Sequence, residues 1–324
     1  MIPSSRTNEA VRRFTAVLDR DEFRAKLDRL FPSRDEGRRQ IRLAVLKGHK
    51  DRCTFETSVQ TRDGWRSVIA KAYETDRSDV FETLRAVAGS GLGSDAEFAI
   101  PEPIDYLRPL NILLEERVRG TQVMEIAVAG SPPEQVAAME RCGTWLAHFH
   151  ANAPRLRDTR TPEELIARCR FWTDQIRDFG GSLSTKADAA VQKLEDALPD
   201  GDGLRLCASH GSFMPEHVIL SGTRTVTIDL DEYGIADPAY DMAWFIVSLE
   251  RLGLKHRGTL RAHDVAVEAF VRAYASHAGR DVSPQLPFYK GVVCMHRAFR
   301  DLRKRVPSEP EWADRMLDEA LLSL

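Results

Sequence analysis

The segment from Leu206 to Asp241 constrains the fold of this chain more than any other, because it combines a strand and turn pattern with many polar side chains. A short apolar strand precedes a loop from His210 to Glu216, and two more strands follow, joined by a turn at Ser221-Gly222. A helix then begins with Asp237 as its N-cap and Pro238 at its first position. The polar loops therefore lie at the ends of a hairpin. Loops at the tips of a rigid sheet are a common place for an active site.

The composition limits the class of protein and its partners. The chain has 324 residues, of which 43% are hydrophobic and 29% are charged, as in a soluble globular protein of one large or two moderate domains. A net charge of −3 gives no electrostatic reason to expect nucleic acid or an anionic membrane as a partner. Five scattered cysteines without a C-x-x-C pair favour a reducing compartment and argue against a zinc site. Because there is no apolar leader and no run of transmembrane length, we expect a cytoplasmic protein. The excess of arginine over lysine is compatible with a bacterial origin.

The first third of the chain predicts a sheet with helices packed on it. Apolar residues recur near helical spacing from Asn8 to Phe31 and predict one or two amphipathic helices. Between Ile41 and Tyr73 the residues become β-branched and alternating, and Arg62-Asp63-Gly64 predicts a hairpin turn. Lys71 lies in the third of these strands, within an apolar run. Since a buried lysine needs a partner, Lys71 either points outward from an edge strand or meets an anion.

The remainder of the chain predicts two lobes. A helix near Ser78 and strands at 104–106 and 111–120 follow the hairpin, and from Pro133 the pattern is helical apart from the segment Leu206–Asp241. We therefore expect an α+β protein with a cleft between a small strand-rich lobe and a larger helical one. The expected divisions are an N-terminal helical extension at 1–40, a first lobe with an interlobe linker at 41–120, and a helical lobe at 121–324.

The segment Leu206–Asp241 resembles the catalytic segment of the aminoglycoside phosphotransferase and choline kinase group of kinase-like enzymes. The pattern of that group is H-G-D, an Asn five positions beyond the Asp, then I-D and G-x-x-D-P-x-x-D. The positions that match are His210, Gly211, Asp229, Gly234, Asp237, Pro238 and Asp241. Two positions differ, since Ser212 stands at the catalytic Asp and His217 stands at the metal-binding Asn. The resemblance implies a protein-kinase-like bilobal fold.

The same resemblance implies a lysine that holds the phosphates of a nucleotide. Lys71 is at the matching strand, and Glu82 on the next helix is the carboxylate expected to pair with it. Glu74 and Asp79 are alternative partners. A Glu82 that is only a solvated surface charge also remains open.

The resemblance further places an adenine-binding linker at Glu116, Arg117 and Val118, where main-chain groups would hydrogen bond to the base. The implied ligand is therefore ATP, or another nucleotide, with Mg²⁺. Because only the main chain is needed there, the identity of these side chains says little about binding.

The metal and the catalytic base are the altered parts of the implied site. Asp229 would bind Mg²⁺, but the imidazole of His217 is a poor substitute for an amide oxygen. Either one ion binds well, or Glu216 or Asp231 replaces the missing ligand, or a softer ion such as Mn²⁺ is used. A Ser212 hydroxyl cannot accept a proton as a carboxylate does, and general-base catalysis is worth about 10²–10⁴-fold in rate. Glu216 and Asp231 are the carboxylates that would replace this base, beside His210.

Three functions are compatible with the sequence. The first is an ATP-dependent phosphotransferase, a kinase acting on an alcohol group of an unidentified small molecule, whose loose transition state makes a slow reaction possible without the base. The second is a pseudokinase that binds a nucleotide as a structural or regulatory ligand. The third is nucleotidyl transfer or another reaction in the same cleft. The basic run at 288–305 is most simply a solvated helix face; if it borders the cleft, it favours an anionic or neutral acceptor over an aminoglycoside.

Overall fold

The structure of the protein is a computed structural model that describes residues 16, 20–32, 40–49, 51–199, 201, 204–279, 281, 284–303 and 307–324. Its internal contacts divide the chain into two compact units, Met1–Arg119 and Gly120–Leu324. The part of the predicted N-terminal helices at 8–15 and 17–19 lies outside the described residues. The first unit is rich in strands and the second is mainly helical, so the chain is α+β as the sequence predicts.

The first unit is built on a five-stranded antiparallel sheet in the order β1-β2-β3-β6-β5. Its strands are β1 (Ile41–Gly48), β2 (Arg52–Thr61), β3 (Gly64–Tyr73), β5 (Pro103–Leu107) and β6 (Ile112–Glu116), with the short β4 (Phe98–Ala99) outside this sheet. Helix α1 (Asp21–Leu30) precedes the sheet, and helix α2 (Ser78–Val87) follows β3.

One face of this sheet forms the core of the first unit. Successive side chains of a strand point to opposite faces, so alternate residues of β2 are buried. Phe23 and Leu27 of α1 pack on that face, and the rings of Phe23 and Phe55 meet edge to face with centroids 6.4 Å apart. The amphipathic pattern of α1 therefore has a direct explanation, since its apolar side covers the sheet.

The second unit consists of helices around short strands. Its helices are α3 (Val123–Ala129), α4 (Pro132–Asn152), α5 (Pro162–Arg177), α6 (Gly181–Asp196), α7 (Pro238–Arg257), α8 (Asp264–Ala278), α9 (Leu286–Arg303) and α10 (Pro310–Ser323). Its strands are β7 (Thr121–Gln122), β8 (Cys207–Ser209), β9 (Val218–Ser221), β10 (Arg224–Thr227) and β11 (Gly234–Ala236). Within the described ranges, no helix combines the length and apolarity needed to cross a membrane.

The predicted hairpin and helix start in Leu206–Asp241 are present. Strands β9 and β10 pair antiparallel, and the Asp237 carboxylate accepts the Ala239 N–H at 2.9 Å as the N-cap of α7. Strand β10 ends at Thr227, before Asp229, which adopts a left-handed conformation with φ 68°. Strand β11, which pairs with β8, was not predicted from the sequence.

Candidate active site

The Asp241 carboxylate is the centre of the hydrogen bonds around the loop that follows β8. Its Oδ1 accepts the Ser209 hydroxyl at 3.1 Å and the Gly211 N–H at 2.9 Å. Its Oδ2 accepts the His210 N–H at 2.8 Å and lies 3.1 Å from the His150 Nε2. Asp241 is fully buried in the first turn of α7. One side chain thus fixes the loop to two helices, α7 and α4.

His150 and Asp241 form a buried charged pair. Burial disfavours the imidazolium, but polar neighbours that include the Asp241 carboxylate outweigh burial and raise the pKa of His150 well above its ordinary value. Burial likewise acts to raise the pKa of Asp241, yet the hydrogen bond and charge of His150 leave that pKa lowered. The other ring nitrogen of His150 lies 3.0 Å from the Tyr274 hydroxyl on α8. These contacts place His150 in the core of the second unit, where it positions Asp241.

The loop at His210 and Gly211 packs directly on the turn after Asp229. Gly211 has φ 81°, and a Cβ added to it would lie 2.2 Å from the Glu232 carbonyl oxygen, so a side chain would collide with the backbone of that turn. The His210 Nε2–H donates to the Ile228 carbonyl at 3.1 Å, because a carbonyl can only accept. Burial lowers the pKa of His210, which favours this neutral tautomer. Both contacts hold the loop and the turn together.

Ser212, His217 and Asp229 are brought together by these two segments. The His217 Nδ1–H donates to the Ser212 carbonyl at 3.0 Å, which leaves Nε2 without that proton in the neutral ring. The Nε2 lies 3.5 Å from Oδ2 of Asp229. The left-handed backbone of Asp229 is an uncommon conformation for a residue other than glycine and occurs often at functional sites.

A divalent ion fits this donor set only in part. The described residues contain no group of three or more His, Cys, Asp or Glu side chains arranged for a metal. Mg²⁺ is usually held by one or two carboxylates together with phosphate oxygens, which agrees with a single carboxylate at Asp229. The imidazole nitrogen of His217 suits a softer ion than Mg²⁺.

Glu216 and Asp231 lie on the two turns that flank these groups. Glu216 is half-buried in the turn Pro215–His217, and its carbonyl accepts the Gln122 side-chain amide at 3.4 Å. Asp231 is buried in the turn Leu230–Glu232, and its carbonyl accepts the Arg157 guanidinium at 3.3 Å. Both carboxylates therefore sit within a few residues of Ser212 or Asp229 along the chain, and both remain candidates for the missing base or ligand.

The predicted partner of Lys71 is wrong. The Lys71 Nζ pairs with Glu115 Oε2 at 3.2 Å, and both side chains are nearly buried. Lys71 is opposite Leu113 in the pairing of β3 with β6, so Glu115 is its diagonal neighbour on the same face. Glu82 instead pairs with Arg108 at 3.4 Å and is 69% exposed, because the buried side of α2 is formed by its other residues, including Val80 and Leu84.

The predicted linker is held by one main-chain hydrogen bond and by the side chain of Arg117. The Glu116 N–H donates to the Glu102 carbonyl at 2.9 Å. The Arg117 guanidinium donates to Glu56 at 2.8 Å and to the Val118 carbonyl at 2.6 Å. These bonds engage main-chain groups of Glu116 and Val118, and the binding of a base by this linker stays a prediction.

Comparison with known proteins gives a family and a fold. The profile of the phosphotransferase enzyme family matches residues 55–284. No curated protein sequence matches the chain. A protein from Ralstonia eutropha JMP134, named as a candidate aminoglycoside phosphotransferase, is 13% identical with a TM-score of 0.68 over 94% of this chain and 97% of that one. A choline/ethanolamine kinase family protein from Mesorhizobium loti is 17% identical with a TM-score of 0.58 over 94% of each chain. A glucosamine kinase in complex with glucosamine, ADP and inorganic phosphate is 17% identical with a TM-score of 0.59 over 88% of this chain and 81% of that one. At such identities the likeness shows the protein-kinase-like fold alone.

Proposed function

The chain belongs to the phosphotransferase enzyme family, and from that premise we propose that it binds ATP with a divalent ion and transfers the terminal phosphoryl group to a hydroxyl of a small molecule. The observation that carries this proposal is the hydrogen-bonded Asp241 carboxylate, which orders the His210-Gly211 loop against the turn at Asp229. This arrangement keeps a charged carboxylate away from water, which is unfavourable by itself. A buried charge that positions one loop is expected where that loop must hold reacting groups.

Each remaining part has a role in this reaction. Lys71, fixed by Glu115, supplies positive charge for the nucleotide phosphates. Asp229 holds the divalent ion, with His217 Nε2 as a second ligand. A solved neighbour, the glucosamine kinase, contains both ADP and a sugar, which supports a nucleotide and a small hydroxylated substrate for this chain.

The Ser212 position makes the proposed reaction slow. The transition state of phosphoryl transfer is loose, so positioning and charge provide most of the acceleration and the hydroxyl proton leaves late. Restoring a carboxylate by Ser212→Asp supplies a base at the position where the family pattern has it. We expect this variant to raise kcat by about 10²–10⁴-fold.

A binding protein without transfer activity is the second candidate, and the His217–Asp229 distance favours it. If His217 is protonated, its Nε2–H at 3.5 Å from Asp229 makes an ion pair that competes with a metal for the carboxylate. Nucleotide binding would then depend mainly on Lys71 and the linker, and would need no divalent ion.

The test is calorimetric titration and thermal shift of the full chain with ADP and ATP, with Mg²⁺, Mn²⁺ or neither. Wild type, Lys71→Ala and Asp229→Ala are compared, with Glu82→Gln as the matched carboxylate control. The kinase proposal expects metal-dependent binding that both alanine variants weaken, together with ATP turnover on a panel of alcohols that rises in Ser212→Asp. Binding that needs no metal, with turnover at background in Ser212→Asp, selects the binding protein. No nucleotide response in wild type would overturn both.

A further inference from the structure

Arg297 of α9 lies beside the loop that carries Ser212. Its NH2 group is 2.9 Å from the sulfur of Met214, two positions after Ser212, and 3.0 Å from the Ser248 hydroxyl. Its guanidinium carbon lies 4.8 Å from the centre of the Trp244 ring, so the guanidinium is placed over that aromatic side chain. The basic run at 288–305 therefore does reach this loop, through one side chain.

The guanidinium is half-buried and forms no ion pair among the described residues, although the charges of Glu216 and Asp301 favour its charged form. In the part of the chain that the structure describes, no carboxylate lies within ion-pair distance of Arg297, and its buried Nε–H has no hydrogen-bond acceptor. Burial, and after it the charge of Arg251, lowers the pKa of Arg297 to about 10, so the group is still charged near neutral pH. Removing part of a cation from water is unfavourable unless an anion compensates the charge.

Two more buried nitrogen atoms adjoin Arg297. The Nδ1 of His296 has no hydrogen-bond partner among the described residues, and the indole Nε1–H of Trp244 has the Tyr240 hydroxyl as its one neighbouring acceptor there, without a well-formed hydrogen bond. The rings of these two residues lie 5.2 Å apart. Burial and then the charge of Arg297 lower the pKa of His296 to about 3, so its ring is neutral and can donate from one nitrogen. A cation whose Nε–H lacks an acceptor, beside an indole N–H and an imidazole that can donate, is complementary to an anionic group.

We propose that the acceptor alcohol of this enzyme carries an anionic group, a carboxylate or a phosphate monoester, and that Arg297 binds this group beside the Ser212 loop. The inference rests on the proposed function, because it assigns the acceptor of that reaction. An arginine stacked on an aromatic ring keeps its in-plane N–H groups for two-point contact with a carboxylate or phosphate. The anion held at Arg297 would fix the acceptor near the Ser212 loop, and selection against neutral or cationic alcohols would follow from this half-buried positive charge.

The experiment compares alcohols that differ in one anionic group. The full chain is titrated calorimetrically, with ADP and the better of Mg²⁺ and Mn²⁺ present, using glycerate and glycerol 3-phosphate against glycerol, and gluconate and glucose 6-phosphate against glucose. The carboxylates and the phosphate esters form separate arms that identify the anion. Variants are Arg297→Met and Arg297→Lys, with Arg272→Met as the control, since Arg272 is an exposed arginine paired with Glu268.

We expect at least one anionic alcohol to bind at least about tenfold more tightly than its neutral counterpart, from the usual strength of charge-assisted hydrogen bonds. Arg297→Met should lose this preference, Arg297→Lys should keep part of it, and Arg272→Met should keep all of it. Equal binding of anionic and neutral alcohols, no binding of any anion, or wild-type preference in both Arg297 variants would overturn the proposal. If Arg297→Met does not fold, the proposal is still tested by two results. These are the preference of the wild type for anionic over neutral alcohols and the size of that preference in Arg297→Lys.

A parallel titration with ADP and metal alone separates this inference from the proposed function. An ADP response without any preference for anionic alcohols overturns only the role of Arg297. A preference for anions without any ADP response overturns the kinase proposal, and with it the assignment of Arg297 to an acceptor site.

Discussion

The Nε2 of His150 lies 3.1 Å from Oδ2 of Asp241, and this buried contact joins the end of α4 to the first turn of α7. The same carboxylate accepts the N–H groups of His210 and Gly211, so the pair determines the path of the loop that reaches Ser212. Because His150 and Asp241 are both buried, they act on the site through the position of this loop. Disturbing either one should change loop order and stability together.

Replacing Asp241 by asparagine should unfold or strongly destabilise the protein. The amide NH₂ of Asp241→Asn would face N–H donors where the carboxylate now accepts, and His150 would lose its counter-charge. Breaking a buried charged pair costs about 3–5 kcal/mol. Urea unfolding measures this loss, with Glu268→Gln as an exposed control expected to cost less than about 1 kcal/mol. A loss below about 1 kcal/mol in Asp241→Asn would show that these bonds do not order the loop.

The stability contributed by His150 should disappear at alkaline pH. The pKa of His150 is raised above its ordinary value of 6.5, so its contribution is fully present below pH 6.5 and is lost as pH rises through the higher folded value. The free energies of unfolding of wild type and His150→Gln should therefore converge as pH rises above 6.5 into the alkaline range. Asp241 affects stability at acidic pH instead. Its pKa is lowered, so its contribution to the free energy of unfolding is lost only as pH falls below the ordinary pKa of 3.8. A difference between the two proteins that stays constant across the alkaline range would contradict the charged pair.

The features that the sequence predicted well are those with local causes. Helix α7 begins with Asp237 as its N-cap and Pro238 at its first position, and the turn at Gly222 joins β9 to β10. Signals of this kind need only a few neighbouring residues. The family pattern then supplied the fold, because its spacing spans the loop, the hairpin and the helix start.

The features that the sequence could not supply depend on register and packing. Glu115 becomes the partner of Lys71 only through the alignment of β3 with β6, which no single strand encodes. In the sequence, Glu115 is one residue of the predicted strand at 111–120, with no sign of its partner. Arg297 shows the same limit, since its position over Trp244 joins residues from different helices. A basic run on a helix gives no sign of which one of its side chains turns inward.

Acid should destabilise the protein through His296. The pKa of His296 is lowered to about 3 in the folded protein, from an ordinary value of 6.5. Between these two pH values the ring is protonated in the unfolded chain and neutral in the folded one. Its contribution to stability should fall with falling pH in this window, by up to about 1.4 kcal/mol per pH unit. We expect His296→Gln to show a smaller dependence than wild type in urea unfolding at pH 4.5 to 7. His277→Gln, on the exposed surface of α8, serves as the control. Equal slopes in wild type and His296→Gln would mean that the ring is reached by solvent protons in the folded state.

Lys71 should matter for both stability and nucleotide binding, and the two effects can be separated. Lys71→Met leaves Glu115 buried without its cation, which costs about 3–5 kcal/mol for a buried pair. Lys71→Met combined with Glu115→Leu removes both charges and should recover much of that stability. Nucleotide affinity should stay at least about tenfold reduced in the double variant, because the charge for the phosphates is still absent. Calorimetry with ADP and urea unfolding on the same samples measure both quantities. Recovery of ADP affinity together with stability would show that Lys71 is a structural residue only.

His217 should determine which divalent ion supports nucleotide binding. Its Nδ1–H is held by the Ser212 carbonyl, so Nε2 is the atom that faces Asp229 and any ion bound there. Replacing this nitrogen by an amide oxygen in His217→Asn favours Mg²⁺, which prefers oxygen ligands. The ratio of ADP dissociation constants in Mg²⁺ and in Mn²⁺ should therefore fall by roughly tenfold relative to wild type. His277→Asn, an exposed histidine whose Nδ1–H donates to the Ala273 carbonyl, should leave the ratio unchanged. A ratio that does not respond to His217→Asn would exclude His217 as a metal ligand and would leave its contact with Asp229 as an ion pair.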